Sequence, residues 1–246
     1  MKARQSWDDA YIKFAVTNWE RNDLHDLADF IRECGISGER ATKILDVGCG
    51  RGMRGLLALL GNPGLNVPGT RYVGVDFSGA AIAAAVASAA RWRRRIDAHG
   101  QLEEIALATR ASAIQGEPLR AHVDFVCEDL GTYLGRHERQ YQLVVDWMCL
   151  HEMPPQNRRR YCQLLGACSN KYLIVNSFSR ELSTVADLGV AVPGVRKYQL
   201  ATPAIGSLFP DFRIVKTKDY PEDLTPSSII TDGIVAGKRA HHLVRH

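Results

Sequence analysis

Short apolar runs alternate with amphipathic stretches along most of the chain. The runs have the length and composition of buried strands, and the stretches between them have the apolar spacing of helices. Strands are predicted at 43–47, 71–76, 122–127, 141–146, 171–176, 212–217 and 234–238, and helices at 53–60, 78–96, 155–168 and 202–209. This alternation is typical of strand-helix-strand units around a mainly parallel sheet, which the last two strands would complete as an edge pair.

Two segments fall outside the alternation. The first forty residues are predicted to be helical, with Trp7, Tyr11, Phe14 and Trp19 on neighbouring faces, and are interpreted as a lid or packing arm. Residues 97–121 are long for a simple connection and are predicted to be an insertion with a helical part at 101–110. We therefore expect one domain over residues 41–240, preceded by an N-terminal helical lid over residues 1–40.

Composition favours an ordinary globular protein. The chain has 246 residues, 46% of them hydrophobic and 24% charged, and a net charge of +4, much of it from Arg91, Arg93, Arg94 and Arg95. The six cysteines form no C-x-x-C pair and are predicted to be reduced thiols rather than zinc ligands. There is neither an apolar run of membrane-spanning length nor an apolar signal-peptide core, so a cytoplasmic location without membrane contact is expected.

Three glycines mark the turn after the first strand. The run Asp46-Val-Gly48-Cys49-Gly50-Arg-Gly52 places glycine where a strand-to-helix turn needs left-handed backbone or close approach to a ligand. In the dinucleotide fingerprint G-x-G-x-x-G the third glycine comes one residue later, so a nicotinamide oxidoreductase fits the run less well.

Two acids follow later strands. Asp76 ends the second strand, where a carboxylate can accept both ribose hydroxyls of a nucleoside, although it could instead cap the next helix together with Ser78. Asp129 follows the third strand and could accept from the exocyclic amine of an adenine, with Leu130 against the ring; the alternative for Asp129 is a simple loop acid.

Together with Asp146 after the fourth strand, these residues resemble class I S-adenosylmethionine-dependent methyltransferases over roughly 43–239. The resemblance implies a Rossmann-like doubly wound sheet of seven strands with the last antiparallel, and S-adenosylmethionine as cofactor. The segment 141–161 is similar to the thiopurine S-methyltransferase group, which covers small-molecule thiols, selenium or tellurium compounds and halides. The family's Pro-Gly-Gly turn before the fifth strand is replaced by Gly166-Ala-Cys-Ser-Asn170.

Methyl transfer from a sulfonium needs alignment more than a base. If the acceptor must lose a proton, His151 is the candidate base, and its alternative is capping or packing beside Met153. Asp146 could orient a nucleophile, but the resemblance favours support of the cofactor's methionine amino group. Trp147 and Trp19 are candidates to face the sulfonium, and Phe77 to flank the adenine; core packing is the alternative for these rings.

The predicted function is methyl transfer to an oxygen, nitrogen or sulfur atom of a small molecule. Nucleic acid is disfavoured because the segment after the fourth strand, Asp146-Trp-Met-Cys149, lacks the acid-or-amide, Pro-Pro, aromatic pattern that holds a flipped base. The arginine cluster at 91–95 ends a helix, where cations meet the negative end of its dipole. An RNA or protein methyltransferase and a cofactor-binding protein without methyl transfer remain alternatives, and the sequence gives no oligomeric state.

Overall fold

A single mixed sheet organises the chain. The computed structural model describes residues 2–13, 25–37, 42–99, 119–183, 190–192, 195–196, 198–220 and 236–246. Within them the helices are α1 Lys2–Lys13, α2 Asp26–Glu33, α3 Met53–Leu60, α4 Gly79–His99, α5 Leu130–Leu134, α6 Pro155–Cys168 and α7 Thr202–Leu208. The strands are β1 Lys43–Val47, β2 Arg71–Asp76, β3 His122–Cys127, β4 Tyr141–Trp147, β5 Ser169–Ser183, β6 Val190–Val192, β7 Val195–Arg196, β8 Phe212–Tyr220 and β9 Ala236–Arg245.

Seven strands pair in the order β3-β2-β1-β4-β5-β9-β8, and β6 and β7 form a separate ribbon. The first five strands are parallel, whereas β9 runs antiparallel to both β5 and β8. This is the predicted doubly wound sheet with an antiparallel last strand. Because the chain winds outward in both directions from β1 and β4, the point where the strand order reverses lies between these two strands.

Each face of the sheet carries its own apolar core. One core packs α2 and α3 against residues such as Ile44, Tyr72 and Val145. The other packs α5, α6 and α7 against residues such as Leu45, Val144 and Leu173. Alternating side chains on each central strand point to opposite faces, so both cores are built from the same few strands.

The two C-terminal strands β8 and β9 form the predicted edge pair. β9 covers the described part of the strand predicted at 234–238, continues to Arg245 and lies between β5 and the outermost strand β8. Lys238, His241 and His242 of this strand are buried, although their side chains are polar. The fifth strand is also longer than predicted, Ser169–Ser183, and α5 and the 3-10 turn Leu150–Glu152 were not predicted. The predicted helix at 101–110 lies outside the described residues.

Candidate functional site

The three glycines adopt the backbone that the sequence predicted. Gly48, Gly50 and Gly52 have φ angles of 63°, 55° and 70°, in the left-handed region that glycine adopts without strain. A Cβ on Gly48 would lie 3.1 Å from the Cβ and Sγ of Cys149, so the β1 turn touches the segment after β4 directly. The turn therefore sits where the strand order reverses, the usual ligand crevice of such sheets.

Gly52 tests the packing of this turn. A methyl group there would lie 2.5 Å from Cε1 of Phe125 in addition to meeting unfavourable backbone, so Gly52→Ala should lower the free energy of unfolding by about 2 kcal/mol. A Cβ on Gly206, in α7, would meet no atom within 4 Å, and Gly206→Ala should raise the free energy of unfolding by about 0.5 kcal/mol. Urea denaturation of both variants measures the difference. Equal stability of the two variants would contradict the tight packing at Gly52.

Asp76 holds the glycine turn in place through hydrogen bonds to backbone amides. Its Oδ2 accepts from the Gly50 amide at 3.0 Å and its Oδ1 from the Ser78 amide at 2.8 Å. A carboxylate offers about four lone-pair sites, so two backbone bonds leave capacity for two hydroxyl donors. Burial, with smaller contributions from Glu152 and Asp8, raises the pKa of Asp76 to about 6. Capping and ribose binding are thus compatible at this position.

Asp46 points away from the turn into the core. The Tyr72 hydroxyl donates to its Oδ2 at 2.6 Å, beside a small cavity of about 10 Å³ lined by residues that include Ile31, Gly55 and Leu143. Burial raises the pKa of Asp46 to about 7, and the neighbouring Asp146 and Asp76 add to the rise. The tyrosine partner, a buried hydroxyl on the neighbouring strand, was not identified from sequence.

This carboxyl makes stability depend on pH. The pKa of Asp46 is higher in the folded chain than in the unfolded one, so its contribution is present at low pH and is lost as the pH rises through about 7. Burial lowers the pKa values of His241 and His242 to about 4, so these histidines add stability as the pH rises from about 4 through the ordinary histidine pKa of about 6.5. Between pH of about 6.5 and 8 the contribution of Asp46 alone falls by roughly 1 kcal/mol, and the gain from the two histidines opposes this loss.

Asp46→Asn should remove the Asp46 loss, so the stability of the variant relative to the parent should rise by roughly 1 kcal/mol over this pH range, because an amide keeps an oxygen for the Tyr72 hydroxyl and does not titrate. Chemical denaturation at several pH values measures both proteins. An unchanged slope in the variant would assign the pH dependence to other groups.

Asp146 has its oxygens committed inside the protein. Oδ1 accepts from the amides of Cys149 and Leu150 at 2.8 and 3.1 Å, and Oδ2 accepts from the Tyr161 hydroxyl at 2.8 Å. The side chain is fully buried, which raises its pKa to about 6. This arrangement shapes the 3-10 turn after β4 and fits a supporting role better than proton transfer. Tyr161 was not recognised as its partner from sequence.

His151 is also buried, at 1% exposure. Its ring packs edge-on against Phe178 with centroids 4.8 Å apart, and Nε2 lies 3.7 Å from the Glu152 carboxylate. Its carbonyl accepts from the Tyr198 amide at 2.8 Å. These contacts agree with the packing alternative, and the catalytic role stays a prediction.

The residues predicted to bind the adenine lie in two different parts of the fold. Asp129 is the N-cap of α5, with Oδ1 accepting from the Thr132 amide at 3.0 Å, and Leu130 is buried in the core beneath it. Phe77 packs against Trp7 of α1, as does Tyr11. Their roles toward a nucleoside remain predictions.

The two tryptophans and Cys49 complete the predicted set. Trp147 packs between Phe30 and Tyr220, with ring centroids 6.2 and 6.1 Å away, on the α2 side of the sheet. The Cys49 amide donates to the Val75 carbonyl at 3.1 Å, which ties the turn to β2. Trp19 lies outside the described residues.

Helix α1 lies across the glycine turn. The hydroxyl oxygen of Tyr11 is 2.7 Å from the Cβ position of Gly50, and its carbonyl accepts from Arg51 at 2.6 Å. Asp8 accepts from the Ser78 hydroxyl at 2.6 Å and the Ala80 amide at 3.2 Å at the start of α4. Sequence predicted a lid here but missed Asp8, whose spacing to Ser78 carries no local signal.

The acids around the turn give the site a negative character. In addition to burial, Asp146 and Asp76 raise the pKa of Asp46, Glu152 and Asp8 raise that of Asp76, and Glu152 raises that of Asp146. Such a crevice favours a ligand that carries positive charge. No cluster of histidine, cysteine or acidic side chains suited to a metal ion occurs in the described ranges, and the cysteines there are free thiols.

The fold is shared with solved structures at low sequence identity. A methyltransferase from Anabaena variabilis, described as dependent on S-adenosylmethionine, is 14% identical with a TM-score of 0.62, covering 99% of this chain and 93% of that one. The 1,6-didemethyltoxoflavin N1-methyltransferase of Burkholderia thailandensis, with S-adenosylhomocysteine bound, is 16% identical with a TM-score of 0.60, covering 99% and 87%.

A third structure has a different activity. The cyclase SpnF is 16% identical with a TM-score of 0.58, covering 90% of this chain and 80% of that one. No protein-family model matches the chain, and no curated protein matches it. At these identities the comparisons show a Rossmann-like methyltransferase fold. No helix among the described residues has the length and apolarity to cross a bilayer.

Proposed function

We propose that the protein is an S-adenosylmethionine-dependent methyltransferase that acts on a small molecule. The observation that carries the proposal is the left-handed glycine turn held by Asp76 at the reversal of strand order. A Cβ would fill this turn, and its acidic surroundings suit a cofactor that bears a sulfonium and an ammonium group. When bound, S-adenosylmethionine supplies an electrophilic methyl group.

Each part of the site has a proposed task. Gly48, Gly50 and Gly52 allow the cofactor to approach the backbone, with Cys49 in the same turn, and Asp76 accepts from the ribose hydroxyls. Asp129, Leu130 and Phe77 bind the adenine. Asp46 ties β1 to β2 through Tyr72, and Asp146 holds the segment after β4 in place, which fixes the acceptor's position.

Helix α1 is proposed to be a lid over this site. Its contacts reach both ends of the cofactor crevice, at Gly50 through Tyr11 and at the start of α4 through Asp8. A lid that excludes water strengthens the electrostatic interactions beneath it.

The finer assignments rest on sequence alone. These are the thiopurine S-methyltransferase resemblance, the cytoplasmic location, His151 as base, and Trp147 and Trp19 beside the sulfonium. The solved neighbours include enzymes named for porphyrin and toxoflavin substrates, which supports a small-molecule acceptor in general. An RNA acceptor stays the weaker candidate. The arginine cluster at 91–95, which would bind RNA, has side chains that lie outside the described part of the chain.

The test uses cofactor carrying a labelled methyl group. The purified protein is incubated with it and a panel of thiols, phenols and amines, and labelled products are detected by mass spectrometry. Transfer to at least one small molecule is expected. Calorimetry with S-adenosylhomocysteine and a nicotinamide dinucleotide accompanies it, and tight nicotinamide binding without a response to S-adenosylhomocysteine would overturn the proposal.

A second candidate is a protein of this fold that binds the cofactor without transferring its methyl group. The cyclase among the structural neighbours favours this candidate. Binding of S-adenosylhomocysteine with no labelled product from the panel is the result expected of it.

A further inference from the structure

Two buried polar atoms stand without a hydrogen-bond partner at the carboxyl ends of β4 and β5. They are Nε1 of Trp147, in a side chain 4% exposed, and Oδ1 of Asn176, in one 1% exposed. The two residues are register partners in the parallel pair of β4 and β5, so their side chains leave the sheet on the same face. One is a donor and the other an acceptor.

A buried donor and acceptor of this kind destabilise the folded protein unless each finds a hydrogen-bond partner. A buried donor or acceptor without a partner loses its hydration and gains nothing in return, and folded proteins contain few of them. The rings of Phe30 and Tyr220 lie beside Trp147 at tilted and edge-on angles and give its N–H no hydrogen bond. The described core therefore leaves two opposite hydrogen-bonding groups for a ligand.

The pair lies beside the glycine turn. Met148, between Trp147 and Cys149, donates its amide to the Asn176 carbonyl at 2.9 Å, and Cys149 contacts Gly48. Met148 has a φ of 75°, a left-handed conformation that is rare for a side chain of its size and that recurs at functional sites. Its half-buried, flexible side chain packs against the same core and can move aside.

We propose that Trp147 and Asn176 recognise the methyl acceptor, which is a planar molecule with an amide-type edge. The indole N–H donates to a carbonyl oxygen or ring nitrogen of the acceptor, and an N–H of the acceptor donates to Asn176 Oδ1. Phe30 and Tyr220 flank the indole and favour a flat, apolar body. The inference rests on the proposed function and assigns Trp147 to the acceptor rather than to the sulfonium.

The test measures binding to protein saturated with S-adenosylhomocysteine. The probes are oxindole, which has a lactam N–H and C=O, N-methyloxindole, which lacks the donor, and indane, which lacks both groups. Calorimetry should give oxindole about tenfold tighter binding than either analogue, the scale of one or two hydrogen bonds to otherwise unpaired groups.

Two variants locate the effect. Trp147→Phe removes the indole N–H and Asn176→Leu removes the amide, and each should weaken oxindole binding to the S-adenosylhomocysteine-saturated protein about tenfold. Trp147→Phe also shrinks a buried ring and should lower the Tm, so probe selectivity rather than the Tm carries the test. A purely structural role would lower the Tm in the same way and leave the preference for oxindole over its analogues intact. Tyr220→Phe is the matched control, since the Tyr220 hydroxyl donates to the Asp26 carbonyl at 3.4 Å, away from the pair.

The outcomes separate the two proposals. S-adenosylhomocysteine binding with equal affinity for the three probes, or with variants that bind oxindole like the parent, refutes the acceptor assignment alone. Absence of S-adenosylhomocysteine binding refutes the proposed function, and the acceptor assignment falls with it.

Discussion

Asp76→Ala is expected to weaken S-adenosylhomocysteine binding about a hundredfold, close to 3 kcal/mol. The change removes a charged acceptor for the ribose hydroxyls and also releases the Gly50 and Ser78 amides, which now donate to this carboxylate. The hydrogen bond between the Gly50 amide and Asp76, which ties the glycine turn to β2, is lost at the same time. Isothermal titration calorimetry on the folded variant measures the loss.

Asp76→Asn serves as the graded control. The amide has the same shape and retains one acceptor oxygen, so its affinity should fall between those of the parent and the alanine variant. Asp124→Ala removes an acid of β3 that pairs with Arg71 on the surface, and should leave affinity unchanged. Unchanged affinity in a folded Asp76→Ala protein would reduce Asp76 to a helix cap.

Asp146→Ala is expected to lower the free energy of unfolding by about 4 kcal/mol, because it leaves three buried donors without their acceptor. These are the Tyr161 hydroxyl and the amides of Cys149 and Leu150. This loss of stability should exceed the stability gained by no longer burying a charged carboxylate. Urea denaturation monitored by tryptophan fluorescence measures it.

Asp146→Asn distinguishes support from proton transfer. The amide keeps an acceptor for part of the network, so the variant should fold and retain methyl transfer within about fivefold of the parent. Loss of turnover by several orders of magnitude in a stable Asp146→Asn protein, with cofactor affinity preserved, would show that this carboxyl acts on the reacting atoms.

The central strands and the glycine turn could be predicted from sequence because their signals are local. Strands β1 to β4 are short apolar runs, and the left-handed backbone at Gly48, Gly50 and Gly52 requires a residue that the sequence displays directly. The position of Asp76 follows from the end of β2. These features need no knowledge of what packs against them.

The rest depends on contacts between distant residues. Tyr72 and Tyr161 read as apolar core positions, and only the folded sheet shows that their hydroxyls meet Asp46 and Asp146. Asp8 caps a helix that begins far along the chain. Strand β9 carries buried polar side chains, which interrupt the alternation of apolar residues along it. The sequence therefore does not show which strands lie on either side of β9.

The position of β9 in the sheet also determines when β8 can join the sheet during protein synthesis. β8 precedes it in the chain, yet β8 pairs only with β9 among the described strands, and β9 alone joins it to β5. Until residues 236–245 leave the ribosome, the growing sheet presents β5 as an open edge, and β8 has no neighbour to receive it. A nascent chain paused before that point exposes backbone that other chains can pair with, so chaperone dependence should persist until β9 has emerged.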